Sequence, residues 1–170
     1  MSTAQIIIIA VAAVACVIDL RERRIPNWLT FGAALAGLMF QIWTGGIAGA
    51  TAAALGWLVG AAVFFLPFAL GGLGAGDIKL LAALGAWIGP MDVLWLSLYT
   101  GVAGMVLAVV VSLWTGYLRE ALSNVRLLLT HWRVQGLRPL SELTIHQGRG
   151  PKLAYGLAIF TGTMVSVWVG

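Results

Sequence analysis

Gly71-Gly72-Leu73-Gly74-Ala75-Gly76-Asp77-Ile78-Lys79 separates two strongly apolar parts of the chain and runs directly into Leu80-Leu81-Ala82-Ala83-Leu84. Its glycines offer no side chain to bury; they permit positive φ and close backbone approach. Asp77 follows them at the first turn of a helix-forming run. In a water-soluble protein such a residue reads as a helix cap. Between membrane-like flanks, a carboxylate at the edge of the hydrocarbon is costly and marks a functional site. The rest of the chain is therefore read by asking what partners Asp77.

Composition settles the class. Of 170 residues, 61% are hydrophobic and 9% charged, with a mean hydropathy of +0.97. A soluble domain carries about 25% charged residues, so this chain cannot cover a globular surface with polar groups. Its apolar runs are too continuous for the alternating strands of a membrane barrel. The expected fold is an all-α, polytopic membrane protein, one domain over residues 1–170 embedded in the lipid bilayer. The net charge of +4 does not point to nucleic acid, because the basic residues flank the apolar runs as membrane topology requires. Cys16, the only cysteine, allows neither an internal disulfide nor a cysteine metal site and reads as a small buried hydrophobe.

Six spans are expected, at about 4–20, 28–43, 47–70, 77–89, 93–116 and 153–169. The first has its arginines after it rather than before it, so it reads as a retained span and not as a signal peptide. Arg21-Glu22-Arg23-Arg24-Ile25-Pro26-Asn27 is a polar connection, and Pro26 stops the helix from running straight on. Trp28 and Trp43 bracket the second span at the two interfaces. Gly45-Gly46 makes a turn, and Pro67 is expected to kink the third span. The fourth span rises only roughly 20 Å against about 30 Å of hydrocarbon, which would set Asp77 in a recess. Between spans five and six, residues 117–152 form the long polar segment. There Leu118, Leu122, Val125, Leu129 and Trp132 recur at helical spacing, and Arg119, Arg126 and Arg133 lie on another face, so an amphipathic helix along the membrane surface is expected. It serves as an anchored connector or as a platform for substrate. His131 and His146 have no carboxylate at ligand spacing and read as solvated, with no metal and no cofactor expected.

With six spans, all ten Lys and Arg residues fall on one side. That side is the cytoplasm, with both termini outside, and Asp92 reads as an exposed residue of an outer turn. Asp19 ends the first span and Asp77 begins the fourth, so both face the cytoplasm, and no other acid lies inside the apolar runs. Two aspartates sharing one proton can hydrolyse a peptide bond: the ionised one takes a proton from water and the protonated one polarises the scissile carbonyl. On spacing alone, independent capping of two helix ends stays open.

Asp19-Leu20-Arg21-Glu22-Arg23-Arg24-Ile25-Pro26-Asn27 and Gly74-Ala75-Gly76-Asp77-Ile78-Lys79 resemble the two signatures of the type IV prepilin peptidases, polytopic aspartic proteases with a Gly-x-Gly-Asp motif. Leu153-Ala154-Tyr155-Gly156-Leu157-Ala158-Ile159 is similar to a third, weaker segment of that family, with Ala154 in place of a proline. The resemblance implies Asp19 and Asp77 as the catalytic pair, supported by Gly74, Gly76, Lys79, Arg24, Ile25, Pro26 and Asn27. It implies cleavage of a leader after a glycine in a prepilin, a small membrane protein, at the cytoplasmic face of the bacterial inner membrane. Long members of the family carry an insert with paired Cys-x-x-Cys motifs that is associated with N-methylation. Here a few residues join the first two spans, as in the short class that accompanies tight-adherence (Flp) pili. The Tyr-Asp and Pro-Ala-Leu motifs of presenilin-like proteases are absent. A small transporter using the two aspartates as a proton relay, or a non-catalytic pilus-assembly subunit, are the other readings.

Overall fold

A computed structural model of the chain describes residues 1–135 and 153–169. The described residues form five helices and no strand: α1 (Thr3–Glu22), α2 (Asn27–Ala69), α3 (Ala75–Trp114), α4 (Leu118–Gln135) and α5 (Tyr155–Val169). Among them α1, α2 and α3 are long and apolar enough to cross a membrane, and α5 is a shorter apolar helix. The described part is all-helical, and its long apolar helices are those of a membrane protein.

Where the sequence predicts separate spans, α2 and α3 each run on through a single non-helical glycine: Gly46 (φ 58, ψ −136) in α2 and Gly89 (φ 83, ψ 177) in α3. The chain folds back at both. A Cβ on Gly49 would overlap the Gln41 carbonyl oxygen and lie 2.7 Å from its carbon, yet in a straight helix these residues stand about 12 Å apart. A Cβ on Gly85 would likewise meet Val93 Cγ2 at 3.1 Å. One positive-φ glycine therefore does what a loop was expected to do, because glycine reaches that region without steric cost. Pro67, expected to kink its span, sits inside α2 with helical φ/ψ on either side of it.

Small residues set how these segments pack, as they do in membrane bundles. The first half of α2 runs parallel to the first half of α3. Gly37 leaves room for the Trp87 indole, whose Nε1 donates to the Ala33 carbonyl at 2.8 Å, while Gln41 Nε2 donates to the Trp87 carbonyl at 3.0 Å. The second half of α2 is antiparallel to the same stretch of α3, with Gly56 against Gly85 and Gly60 against Leu81 backbone to backbone. The second half of α3 pairs antiparallel with α5 through Thr100 against Gly162 and Gly104 against the Tyr155 ring. Ile8, Leu80, Leu81, Leu84, Leu96 and Ile159 fill the centre. Outside, Trp28 and Trp114 are exposed at one end of the bundle and Trp43 and Trp168 at the other, suited to two interfaces.

The α4 helix follows α3 through Gly116 (φ 69). Tyr117, Leu118, Ala121, Asn124, Leu128, His131 and Trp132 make its half-buried side, with Asn124 Nδ2 donating to Tyr117 Oη at 3.0 Å. The expected apolar stripe is thus split, since Leu122 and Val125 are exposed; the Leu129 side chain lies outside the described part. His131 is not solvated as the sequence reading has it. It falls on the half-buried side, and its Nε2 is buried without a hydrogen-bond partner among the described residues. His146 and the rest of residues 136–152, with Arg138, Arg149 and Lys152, lie outside the described residues.

Candidate active site

Asp19 lies in the last turn of α1. Its carbonyl accepts the Arg23 N–H at 2.8 Å, which closes the helix with Arg23 in the left-handed region at φ 52. Its side chain is only 6% exposed. Asp19 Oδ2 accepts the Gly156 N–H at 2.8 Å. Gly156 is in the first turn of α5, where backbone N–H groups have no partner within the helix, so Asp19 satisfies one of them and gains the favourable end of that helix dipole.

Asp77 is the third residue of α3, one turn in from the Gly74 cap, and is 8% exposed. Its Oδ2 accepts the Gly74 N–H at 3.1 Å, and its own N–H donates to the Gly74 carbonyl at 3.2 Å. The carboxylate is thus folded back over the glycine loop that precedes it. Among the described residues each carboxylate therefore receives one backbone N–H, through Oδ2. Asp77 lies within electrostatic reach of both Asp19 and Tyr155. The two aspartates, distant in sequence, come to the same end of the bundle.

The supporting residues divide. Ile25 is buried, and a Cβ on Gly76 would lie 3.1 Å from the Ile25 Cβ; a glycine is needed where the two signatures cross. Pro26 caps α2 in extended geometry, its carbonyl accepting the Leu29 and Thr30 N–H groups. Lys79 Nζ donates to Asn27 Oδ1 at 3.0 Å and lies 5.5 Å from the Phe31 ring centroid. The two signatures are thereby joined by a packing contact and a hydrogen bond. Arg24 is not drawn in: it is exposed and makes no hydrogen bond or ion pair with another described residue. The arginines after α1 do not neutralise Asp19, since their long side chains stay in solvent where hydration is strongest.

Sequence reasoning left Gly156 and Tyr155 off the site. A Cβ at Gly156 would stand 2.9 Å from the Asp19 Cβ, and the Tyr155 ring packs edge-on against Phe64 with centroids 6.0 Å apart. The signal was the Tyr-Gly pair at the start of the last apolar run, which spacing alone could not connect to Asp19. Gly156→Ala should push α5 away from Asp19 and loosen a charge-assisted hydrogen bond. Such a bond contributes about 1.5–3 kcal/mol, so any activity resting on Asp19 should fall by roughly tenfold or more. Gly101→Ala, where a Cβ meets nothing within 4 Å, should leave the rate unchanged in the same assay.

Chemically, the site offers two buried carboxylates at one end of the helix bundle, each oriented by a helix N-terminus, with no ion pair to either among the described residues. Among those residues no group of three or more His, Cys, Asp or Glu side chains could hold a metal ion. Two carboxylates can share a proton and activate water when they stand about 3 Å apart.

A family model described as the type IV leader peptidase family matches residues 6–109, a span that holds both aspartates. A prepilin leader peptidase/N-methyltransferase of Burkholderia pseudomallei (strain 1026b) is 36% identical over 109 residues, covering 60% of this chain and 35% of the relative. One from Pectobacterium carotovorum subsp. carotovorum is 32% identical over 122 residues, covering 68% of this chain and 42% of the relative. The chain thus spans well under half the length of these curated relatives. No solved structure matches the chain.

Proposed function

Because the chain belongs to the type IV leader peptidase family, we propose that it is an aspartic endopeptidase that removes the leader from a prepilin of the Flp type. The observation that carries this reading is the arrival of Asp19 and Asp77 at one end of the bundle. Both are buried, and each is held through one oxygen by a backbone N–H. In the reaction one aspartate is ionised and draws a proton from water, which attacks the scissile carbonyl. The other, protonated, donates toward the carbonyl oxygen and then passes its proton to the departing nitrogen. The Gly156 and Gly74 N–H groups each hold one Oδ2, which keeps Oδ1 of each carboxylate for the reacting atoms and limits reorganisation. Lys79 and Asn27 hold the two signature segments in register.

The substrate is a small membrane protein whose hydrophobic segment lies in the bilayer beside the enzyme, with the scissile bond at the cytoplasmic face of the bacterial inner membrane. Six crossings in a single domain, made by folding back at Gly46 and Gly89, put both aspartates on that face and residues 3 and 169 outside. Reporter fusions after Gly45 and Met91 should therefore be extracytoplasmic, and fusions after Arg23, Gly74 and Arg138 cytoplasmic; an external Gly74 fusion would separate the two aspartates and end the dyad reading. The α4 helix lies along the cytoplasmic surface, where Leu122 and Val125 meet acyl chains and Arg119, Arg126 and Arg133 meet anionic headgroups.

The relatives are named as N-methyltransferases as well, and the proposed activity of this chain is cleavage without methylation. Only residues 23–26 separate α1 from α2, and the chain has a single cysteine. Purified protein given prepilin and S-adenosylmethionine should release an unmethylated product, and a methylated N-terminus would contradict this. Cleavage is tested by co-expressing the chain with small pilin-like proteins of its genome and reading their N-termini by mass spectrometry. A shortened N-terminus beginning just after a glycine is expected, and intact precursors throughout would overturn the proposal.

A further inference from the structure

A second feature lies at the other end of the bundle. In the second half of α3, Asp92, Trp95 and Tyr99 follow one another at helical spacing and share one face, and Ile88 stands just before the fold-back at Gly89. They line a cavity of about 380 Å³ with Ile8 of α1 and Val167 of α5. That volume is within the roughly 300–1,000 Å³ of small-ligand sites. Along α1 the cavity is about 17 Å from Asp19, eleven residues at the rise of a helix. It is therefore separate from the dyad.

The cavity has three parts. Its walls combine apolar Ile8, Ile88, Val167 and Val169 with polar Gln5 and Ser166. Its carboxylate, Asp92, is exposed and forms no ion pair or hydrogen bond with a described residue. The Lys and Arg side chains of the described residues belong to the opposite end or to α4, so none of them is placed to neutralise Asp92. Beside that carboxylate are two aromatic rings, Trp95 and Tyr99, stacked at 6.3 Å between centroids and 27° between planes. A carboxylate next to aromatic faces is a site for a cation, attracted by both the charge and the ring quadrupoles. The apolar stretch of wall calls for a hydrocarbon portion on the same ligand, and Gln5 and Ser166 suit the polar groups between that portion and the cation. Trp43 and Trp168, each 90% exposed, mark this end as a membrane interface.

From these observations we propose that the cavity binds a phospholipid whose headgroup ends in a primary ammonium, as in phosphatidylethanolamine, with the ammonium on Asp92 against Trp95 and Tyr99 and the start of an acyl chain along Ile8, Ile88 and Val167. A primary ammonium can donate hydrogen bonds to the Asp92 carboxylate; a trimethylammonium keeps only the ring attraction, and an anionic headgroup is repelled.

The test is native mass spectrometry of the full chain, released from detergent carrying lipids with identical acyl chains. Phosphatidylethanolamine should be retained about tenfold over phosphatidylglycerol, with phosphatidylcholine between them. Asp92→Asn should abolish that preference while total bound lipid stays the same, and Trp95→Leu should weaken it. Soluble glycerophosphoethanolamine, which lacks the acyl chains, should not compete. Equal retention of the anionic lipid, an undiminished preference in Asp92→Asn, or full competition by the soluble headgroup would each overturn the proposal. Because the readout is lipid retention, it is independent of whether the dyad at the other end cleaves a prepilin.

Discussion

Asp19→Asn and Asp77→Asn should each slow leader removal by at least about 1,000-fold, a loss of roughly 4 kcal/mol of transition-state stabilisation. Asparagine suits this test because of how the two carboxylates are held. Each is fixed by accepting a backbone N–H, from Gly156 at 2.8 Å for Asp19 and from Gly74 at 3.1 Å for Asp77. An amide oxygen can accept the same bond, so the anchoring of α5 and of the glycine loop survives the substitution. Only the titrating oxygen is removed. A residue that merely caps a helix would tolerate asparagine with a small change, since Asn and Asp cap about equally well. Protein level and reporter topology should match wild type in both variants. Retention of more than roughly a tenth of the rate, a barrier change below about 1.4 kcal/mol, would remove that residue from the catalytic pair.

Gly56→Val should be the most damaging substitution far from the dyad. A Cβ at Gly56 would overlap the Gly85 carbonyl oxygen and lie 2.8 Å from its carbon, and the same clash appears from the Gly85 side. Backbone, not a flexible side-chain tip, stands in the way, so the helices must separate. Overpacking costs about 1–3 kcal/mol, and more where the neighbour cannot yield. For a chain of this size the upper end of that range corresponds to a fall in melting temperature of roughly 6–12 °C. Gly32→Val is the control, because a Cβ there meets nothing within 4 Å and a valine would face lipid. Melting of the two purified variants in one detergent compares them; equal temperatures would mean that the Gly56–Gly85 crossing does not set the packing of α2 on α3.

These two predictions also mark what could be read without coordinates. Asp19 and Asp77 were legible because charge is rare in this chain, and an acid in an apolar run stands out. The spacing of Ile25, Pro26 and Asn27 from Asp19, and of Gly74 and Gly76 from Asp77, was legible for the same local reason. Contacts between distant segments were not. Nothing in the order of residues says that Gly76 must be small to admit Ile25, that Lys79 reaches Asn27, or that the Gly156 N–H finds Asp19. Glycine carries no pattern of its own in an apolar run, so the order of residues does not single out Gly56, Gly60 and Gly85 as the points where two backbones meet. The breaks at Gly45-Gly46 and Gly89-Pro90 were visible as punctuation. That each would be compressed into one positive-φ residue between two closely packed helical segments depended on how those segments pack. His131 was misjudged because a polar residue in a polar segment was assumed to face water, whereas its neighbours Leu128 and Trp132 place it on the half-buried side of α4.

The dyad itself is tested most directly with purified protein in lipid, a synthetic prepilin and mass spectrometry of the product N-terminus. Wild type, Asp19→Asn, Asp77→Asn and the double variant are assayed side by side. Two groups that act as one unit are lost together, so the double variant should be no slower than either single one. Wild type should convert the precursor to a product beginning just after a glycine, and all three variants should show the same background. Cleavage by the double variant at near the wild-type rate would contradict the assignment of Asp19 and Asp77 as the catalytic pair.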